Sequence, residues 1–107
     1  MERYIQVVTV LDNERKLEEI ANAVLKERLG ACVQISGPIK SFYWWQGKIE
    51  NTEEWVMSIK TKRNLYEKLE ELIKKLHPYE VPEILSFSIE NGYTKYFKWL
   101  ENEVYKG

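Results

Sequence analysis

The residue types that could do chemistry are densest in one seven-residue segment, 77–83, which reads His-Pro-Tyr-Glu-Val-Pro-Glu. Two prolines stiffen the segment, and a stiff loop whose imidazole and carboxylates converge can bind a divalent cation or hold an acid and a base. His77, Glu80 and Glu83 are therefore candidate metal ligands. The same residues also allow a structural role, in which Pro78 ends a helix, the tyrosine packs and His77 caps the last helical carbonyl groups.

Cys32 is the only cysteine of the chain. A thiolate is a soft ligand that suits copper, so Cys32 is a further candidate metal ligand. The other interpretation is that it packs as a small apolar side chain, as buried free cysteines commonly do. A single cysteine cannot form an internal disulfide, and residues 1–5 lack the pattern of a signal peptide. Both features predict the reducing cytoplasm as the location.

An aromatic cluster, Tyr-Trp-Trp at 43–45, stands directly before a Gln-Gly pair that is typical of a hairpin turn. Such a tip can stack on a ligand or pack on a neighbouring subunit, since Tyr and Trp are enriched at interfaces. The basic stretch Lys-Thr-Lys-Arg that begins at Lys60 can attract an anion or remain solvated. Trp44, Lys60 and Tyr79 are the candidate residues of a ligand cleft.

Composition excludes several function classes. The chain has 16 basic and 17 acidic residues, whereas binding to nucleic acid or to an anionic membrane surface favours a basic surplus. It has no apolar run long enough for a membrane span. Phosphate-binding loops, metalloprotease motifs and nucleophile elbows are absent from the sequence, so we expect neither an organic cofactor nor an enzymatic activity. Lys and Glu dominate the charged residues, which is typical of thermostable proteins.

The candidate residues are positioned by a β-α-β-β-α-β order of elements with a further helix at the end. We predict four strands, at 4–11, 31–45, 48–61 and 84–89, and a hairpin joins the second to the third. We predict three helices, at 12–30, 64–77 and 93–104. The first helix is capped at 12–13 and stopped at Gly30, and the second has a capping box from Asn64 and Glu67. This order predicts one α+β domain over residues 1–107 with a ferredoxin-like, antiparallel four-stranded sheet.

Right-handed crossovers place the first two helices on one face of that sheet. The other face is left open although the first strand is apolar on both sides, so we predict an oligomer that covers it. Counting residues along the elements puts His77 level with residue 40 of the second strand, ~26 Å from Cys32 at the normal rise per residue. A metal site shared by His77 and Cys32 would therefore lie between subunits.

Taken together, the motifs resemble the CutA family of divalent-cation tolerance proteins. The segments that carry the resemblance are Ala-Cys-Val at 31–33, Tyr-Trp-Trp-x-Gly-Lys at 43–48, Ile-Lys-Thr at 59–61 and the whole of 77–83. The likeness extends from Tyr4 to about Val104, with departures at 34–38 and at Gln46. It implies a homotrimer whose long hairpins reach neighbouring subunits, as in the PII signalling proteins. It also implies tolerance to divalent metals, copper above all, with metal-site residues that match Cys32 and His77.

The sequence thus predicts a trimeric binding protein that takes up Cu(II) or another divalent cation near His77, with Glu80 or Glu83 assisting. Its expected partners are further copies of itself and divalent metal ions, not nucleic acid or a membrane. Two alternatives stay open. One is a PII-like sensor that binds a small anionic effector in a cleft between subunits, and the other is a rigid trimeric scaffold without a ligand of its own.

Overall fold

The computed structural model describes residues 3–106, so residue 107 and the first two residues of the 1–5 segment discussed above lie outside it. The elements are β1 (Tyr4–Leu11), α1 (Glu14–Lys26), β2 (Cys32–Trp45), β3 (Lys48–Lys62), α2 (Tyr66–Leu76), β4 (Ile84–Ser88) and α3 (Thr94–Glu103). The strands form one antiparallel sheet in the order β2-β3-β1-β4. The predicted α+β fold is confirmed.

The core lies between α1 and α2 and one face of the sheet. Alternate residues of β1 and β3 point into it, among them Ile5, Val7 and Ile59, which are almost fully buried. The helices contribute the apolar positions of their inner faces, Leu17, Ile20, Val24, Leu69 and Ile73. Each such side chain contributes about 1.5–3 kcal/mol on burial, so this face holds the fold together. Both helices cover the same face, as predicted.

The two helices begin in different ways. Asn13 caps α1 as predicted, since its side-chain oxygen accepts a hydrogen bond from the backbone N–H three residues on, at 3.0 Å. The predicted capping box of Asn64 and Glu67 is wrong. The chain enters α2 through a 3₁₀ turn, and neither the turn nor α2 has a side-chain capping bond. Burial of Leu65 in the core fixes this entry instead.

Helix α1 ends earlier than the sequence predicts. It stops at Lys26, and Arg28 takes the left-handed backbone conformation (φ 60°) that was expected at Gly30. The Arg28 guanidinium compensates by bonding the Glu103 carbonyl at 2.9 Å and its carboxylate at 3.1 Å. Gly30 is needed for close packing, because a Cβ there would stand 2.5 Å from Cγ2 of Ile59.

Beyond the end of β1, β2 and β3 continue alone as a two-stranded arm, residues 39–54. Gln46 and Gly47 form its two-residue turn with φ of 52° and 79°, a type I′ combination, so the predicted hairpin is confirmed. Before the arm, the pairing of β2 with β3 shifts its register between Ser36 and Ile39. A hairpin that is not packed on anything is marginally stable, so the arm requires a surface to lie on.

The second face of the sheet, here called the open face, is only partly covered. Helix α3 lies over one end, where Tyr4 stacks on Phe97 with 4.1 Å between ring centroids. Further along, Leu85 and Phe87 of β4 remain 49% and 53% exposed. Within the described range, no helix is long and apolar enough to cross a bilayer.

Candidate functional site

The His77 ring is buried and both of its nitrogens are engaged. Its Nε2 lies 2.8 Å from the carbonyl oxygen of Val10, and its Nδ1 accepts a hydrogen bond from the backbone N–H of Tyr79 at 3.2 Å. We infer the tautomer that carries its proton on Nε2, since a carbonyl oxygen can only accept. The ring therefore fastens the 77–83 loop to β1. The backbone N–H of His77, not its ring, bonds the α2 carbonyl of Ile73.

Tyr79 joins the loop to the base of the arm. Its hydroxyl donates to Oε2 of Glu54 at 2.7 Å and accepts from the backbone N–H of Asp12 at 3.0 Å. Burial and the bond to Glu54 raise the pKa of Tyr79 well above its ordinary value. Glu54 itself is only 3% exposed. Sequence reasoning missed Glu54 because it ends a polar run of β3 that is typical of solvated positions.

An open cleft of about 630 Å³ separates the arm from the 77–83 loop. Its walls are Val10, the arm residues Ser41, Phe42, Tyr43, Trp44, Trp45 and Glu54, and the loop residues Tyr79, Glu80, Val81 and Glu83. We call it the aromatic cleft. Two of the three predicted cleft residues, Trp44 and Tyr79, meet here.

Lys60 lies elsewhere. It stands on the open face between Cys32 and Gln6 in the register of the sheet, where its ammonium group bonds the side chain of Gln34. Within one subunit the aromatic cleft therefore has carboxyl groups and no lysine among its lining residues. An anionic effector would meet no cation of this chain there.

The predicted metal ligands are spread over two places. Glu80 and Glu83 are exposed at the rim of the cleft. Cys32 is half-buried on the open face, where its thiol contacts the Tyr96 hydroxyl. Burial, and after it the contact with Cys32, raises the pKa of Tyr96.

The register also gives the separation of the cysteine from the histidine. Val10, to which His77 is bonded, is level with Ser36 of β2 through the pairing of β1 and β3. Ser36 is four residues from Cys32, or ~13 Å along the sheet, with β3 lying between the two strands. The level is nearer than the expected residue 40, because α2 is three residues shorter than the predicted 64–77 and the loop folds back on β1.

Over residues 3–106, no three His, Cys, Asp or Glu side chains lie close enough together to hold a metal ion. The four predicted ligands therefore do not form a complete set in a single subunit. Metal ions with nitrogen, oxygen and sulfur ligands usually require at least three protein donors to be held firmly.

Comparison with known proteins gives one consistent result. Residues 5–103 match the family model of the CutA1 divalent ion tolerance protein. The divalent-cation tolerance protein CutA of Pyrococcus horikoshii is 40% identical, over 95% of this chain and 99% of that protein. The chloroplastic protein CutA 1 of Oryza sativa is 38% identical over 92% of this chain, which spans 55% of its length.

The solved structures agree with the sequences. The crystal structure of CutA1 from Oryza sativa superimposes with a TM-score of 0.95 at 35% identity, covering 99% of this chain and 97% of that one. The whole described fold, the arm included, is therefore shared with that structure.

Proposed function

The chain belongs to the CutA1 family of divalent ion tolerance proteins, and we propose that it acts in divalent-cation tolerance as a homotrimer that binds the cation between its subunits. Binding, not catalysis, is the proposed activity. Cu(II) is the first candidate, because nitrogen and oxygen donors bind it more tightly than the neighbouring divalent metals. The observation that carries the proposal is the incomplete ligand set of one subunit, whose candidate donors lie next to surfaces that require cover.

Self-association is supported by the exposed apolar side chains. Leu85 and Phe87 lie on the open face beside polar Gln6, and the arm exposes Phe42, Trp44 and Ile49. A monomer rarely exposes apolar patches of this kind, whereas obligate interfaces are built from them. The long arm is also explained, because it gains a packing surface on a neighbouring copy.

The assembly is tested with two matched leucines. Leu85→Asp introduces a charge on the open face, whereas Leu25→Asp does so on the outer surface of α1, where the leucine is 42% exposed. We expect sedimentation of the wild type and of Leu25→Asp at trimer mass, and of Leu85→Asp at monomer mass or as aggregate. A monomeric wild type, or equal effects of the two substitutions, would contradict the proposal.

For the cation we propose ligands from the 77–83 loop of one subunit, Glu80, Glu83 and His77, together with Cys32 of another. The two glutamates are exposed and available. The His77 ring can join only after one of its present hydrogen bonds, to Val10 or Tyr79, is broken. The carboxylates are therefore expected to make the first contact with the cation.

Calorimetric titration with Cu(II), beside Zn(II) and Mn(II), tests this site. We expect Cu(II) to bind in a fixed ratio to subunits and to weaken at least tenfold in the Glu80→Gln/Glu83→Gln variant and in Cys32→Ser. The control is Glu18→Gln/Glu19→Gln, which removes the same charge from exposed positions of α1. Unchanged affinity in the loop variant, or an equal loss in the control, would exclude the 77–83 loop as the site.

We also propose that the protein acts in the cytoplasm, because Cys32 is unpaired and suits a reducing compartment. Relatives are described from other compartments, as chloroplastic in Oryza sativa and as periplasmic in Archaeoglobus fulgidus. Cell fractionation with an antibody against the chain decides between these locations.

A further inference from the structure

The aromatic cleft has one carboxyl group, that of Glu54, which the proposed cation uptake does not use. Glu54 forms its inner wall, Glu80 and Glu83 lie on the loop opposite the arm, and none of its lining residues is Lys, Arg or His. Its volume of about 630 Å³ lies in the range of small-molecule sites and far exceeds the ~30 Å³ of one water molecule. Complementary charge therefore favours a cationic occupant larger than a single ion.

Glu54 is a second and independent indication. Its carboxyl group is almost fully buried, yet across residues 3–106 it has one hydrogen-bond donor, the Tyr79 hydroxyl, and no cationic side chain. A buried carboxylate without a positive partner loses hydration that one neutral donor does not replace. A ligand ammonium group at this wall would supply the missing charge.

The aromatic walls distinguish an organic cation from a metal ion. Phe42, Tyr43, Trp44 and Trp45 line the arm side of the cleft. Their faces attract ammonium groups and cover methylene groups, but they provide no donor atom to a hard metal ion. Because carboxyl groups stand both on the inner wall and on the outer loop, the cleft favours a ligand with a positive charge at each end.

We propose that the aromatic cleft binds an aliphatic diamine or polyamine, with one ammonium group at Glu54 and another at the Glu80–Glu83 side. The methylene chain lies along the rings of the arm. Its inner anchor, Glu54, is not one of the proposed metal ligands, whereas its outer end shares Glu80 and Glu83 with them, so the site is assayed on metal-free protein.

Three probes of one chain length test the proposal: pentane-1,5-diamine, pentane-1,5-diol and pentanedioate. The amines carry two positive charges at pH 7, while the other two probes are neutral and negative. In calorimetric titrations of the assembled, metal-free protein we expect the diamine to bind once per subunit and the others at least tenfold more weakly. Equal binding of the diol or the dianion, or no binding of any probe, would overturn the proposal.

Two variants locate the binding. Glu54→Gln keeps the shape and the acceptor for Tyr79, and we expect it to weaken the diamine at least tenfold. Glu53→Gln removes the same charge from the neighbouring, exposed position of β3 and should leave the affinity within twofold. Equal losses would assign the effect to overall surface charge and refute the site. Should Glu54→Gln fail to fold, Trp44→Leu in the exposed arm must weaken the diamine more than the diol.

Discussion

Removing one oxygen atom, in Tyr79→Phe, tests how the 77–83 loop is held to the body of the protein. The Tyr79 hydroxyl donates to the buried Glu54 carboxylate and accepts from the backbone N–H of Asp12. A hydrogen bond to a charged group contributes about 1.5–3 kcal/mol and a neutral one about 0.5–1.5 kcal/mol. Because Glu54 loses the only hydrogen-bond donor that residues 3–106 give its carboxylate, we expect Tyr79→Phe to lower the free energy of unfolding by about 2–4 kcal/mol.

The matched control is Tyr43→Phe. The Tyr43 hydroxyl also makes one good hydrogen bond, to Oγ1 of Thr52 at 2.7 Å, but the pair is exposed and water can replace it. We expect this variant to stay within about 0.5 kcal/mol of the wild type. Chemical denaturation of all proteins at one subunit concentration measures both values, since the stability of an oligomer depends on concentration.

Equal losses of stability in Tyr79→Phe and Tyr43→Phe would refute a stabilising role for the buried bond between Tyr79 and Glu54. A second comparison uses Glu54→Met, which removes the carboxylate and retains much of the volume. In that background the Tyr79 hydroxyl has no buried carboxylate to bond, so Tyr79→Phe should lower the free energy of unfolding by less than half as much as it does in the wild type. Additive effects would show that the hydroxyl acts independently of Glu54.

Two pH dependences follow from other shifted groups. Burial and the bond to Glu70 raise the pKa of Tyr66 from its ordinary 10.0 to about 12, so the stability that this tyrosine contributes is complete below pH 10 and is lost as the pH rises towards 12. In denaturant titrations at pH 9–12, the free energy of unfolding of Tyr66→Phe should therefore fall less steeply with pH than that of the wild type, and equal steepness would contradict this. The Tyr4 hydroxyl, and to a lesser degree nearby cations, lower the pKa of Glu101, so the stability that this carboxylate contributes is present above pH 4.5 and is lost as the pH falls through its lowered pKa in the folded protein. In Glu101→Gln the free energy of unfolding should therefore fall less steeply below pH 4.5, and an unchanged pH dependence would count against this.

Much of the fold was predictable because local chemistry and tertiary structure agree. The double apolar alternation of β1 predicts a central strand, and Gly47 after the aromatic run predicts the hairpin, since glycine accepts the positive φ of the second turn position. The end of α1 was not predictable. Arg28 takes the left-handed position of a Schellman turn, in which the N–H groups of Arg28 and Leu29 bond the carbonyls of Leu25 and Val24. Glycine or asparagine usually marks that position, and the sequence has neither there.

The candidate site, like the fold, was predictable from the sequence only in part. The sequence indicates that the 77–83 loop is stiff and polar, and it indicates Trp44 and Tyr79 as cleft residues. It does not indicate that His77 is bonded through both nitrogens, because its partner Val10 is a backbone carbonyl that any residue would offer. Glu54 was hidden for the opposite reason: its neighbours in β3 are solvated, and only the folding of the loop over it makes it buried.

The position of β1 in the sheet has a consequence for synthesis on the ribosome. β1 is made before the other described elements, but its neighbours are β3 and β4, and Ile5 pairs with Ser88 more than 80 residues later. At typical elongation rates β1 waits roughly 4–16 s for its last partner. An apolar strand with both edges unpaired for that time is prone to join another nascent chain, so this topology favours expression at low temperature or with a chaperone that holds the N-terminal segment.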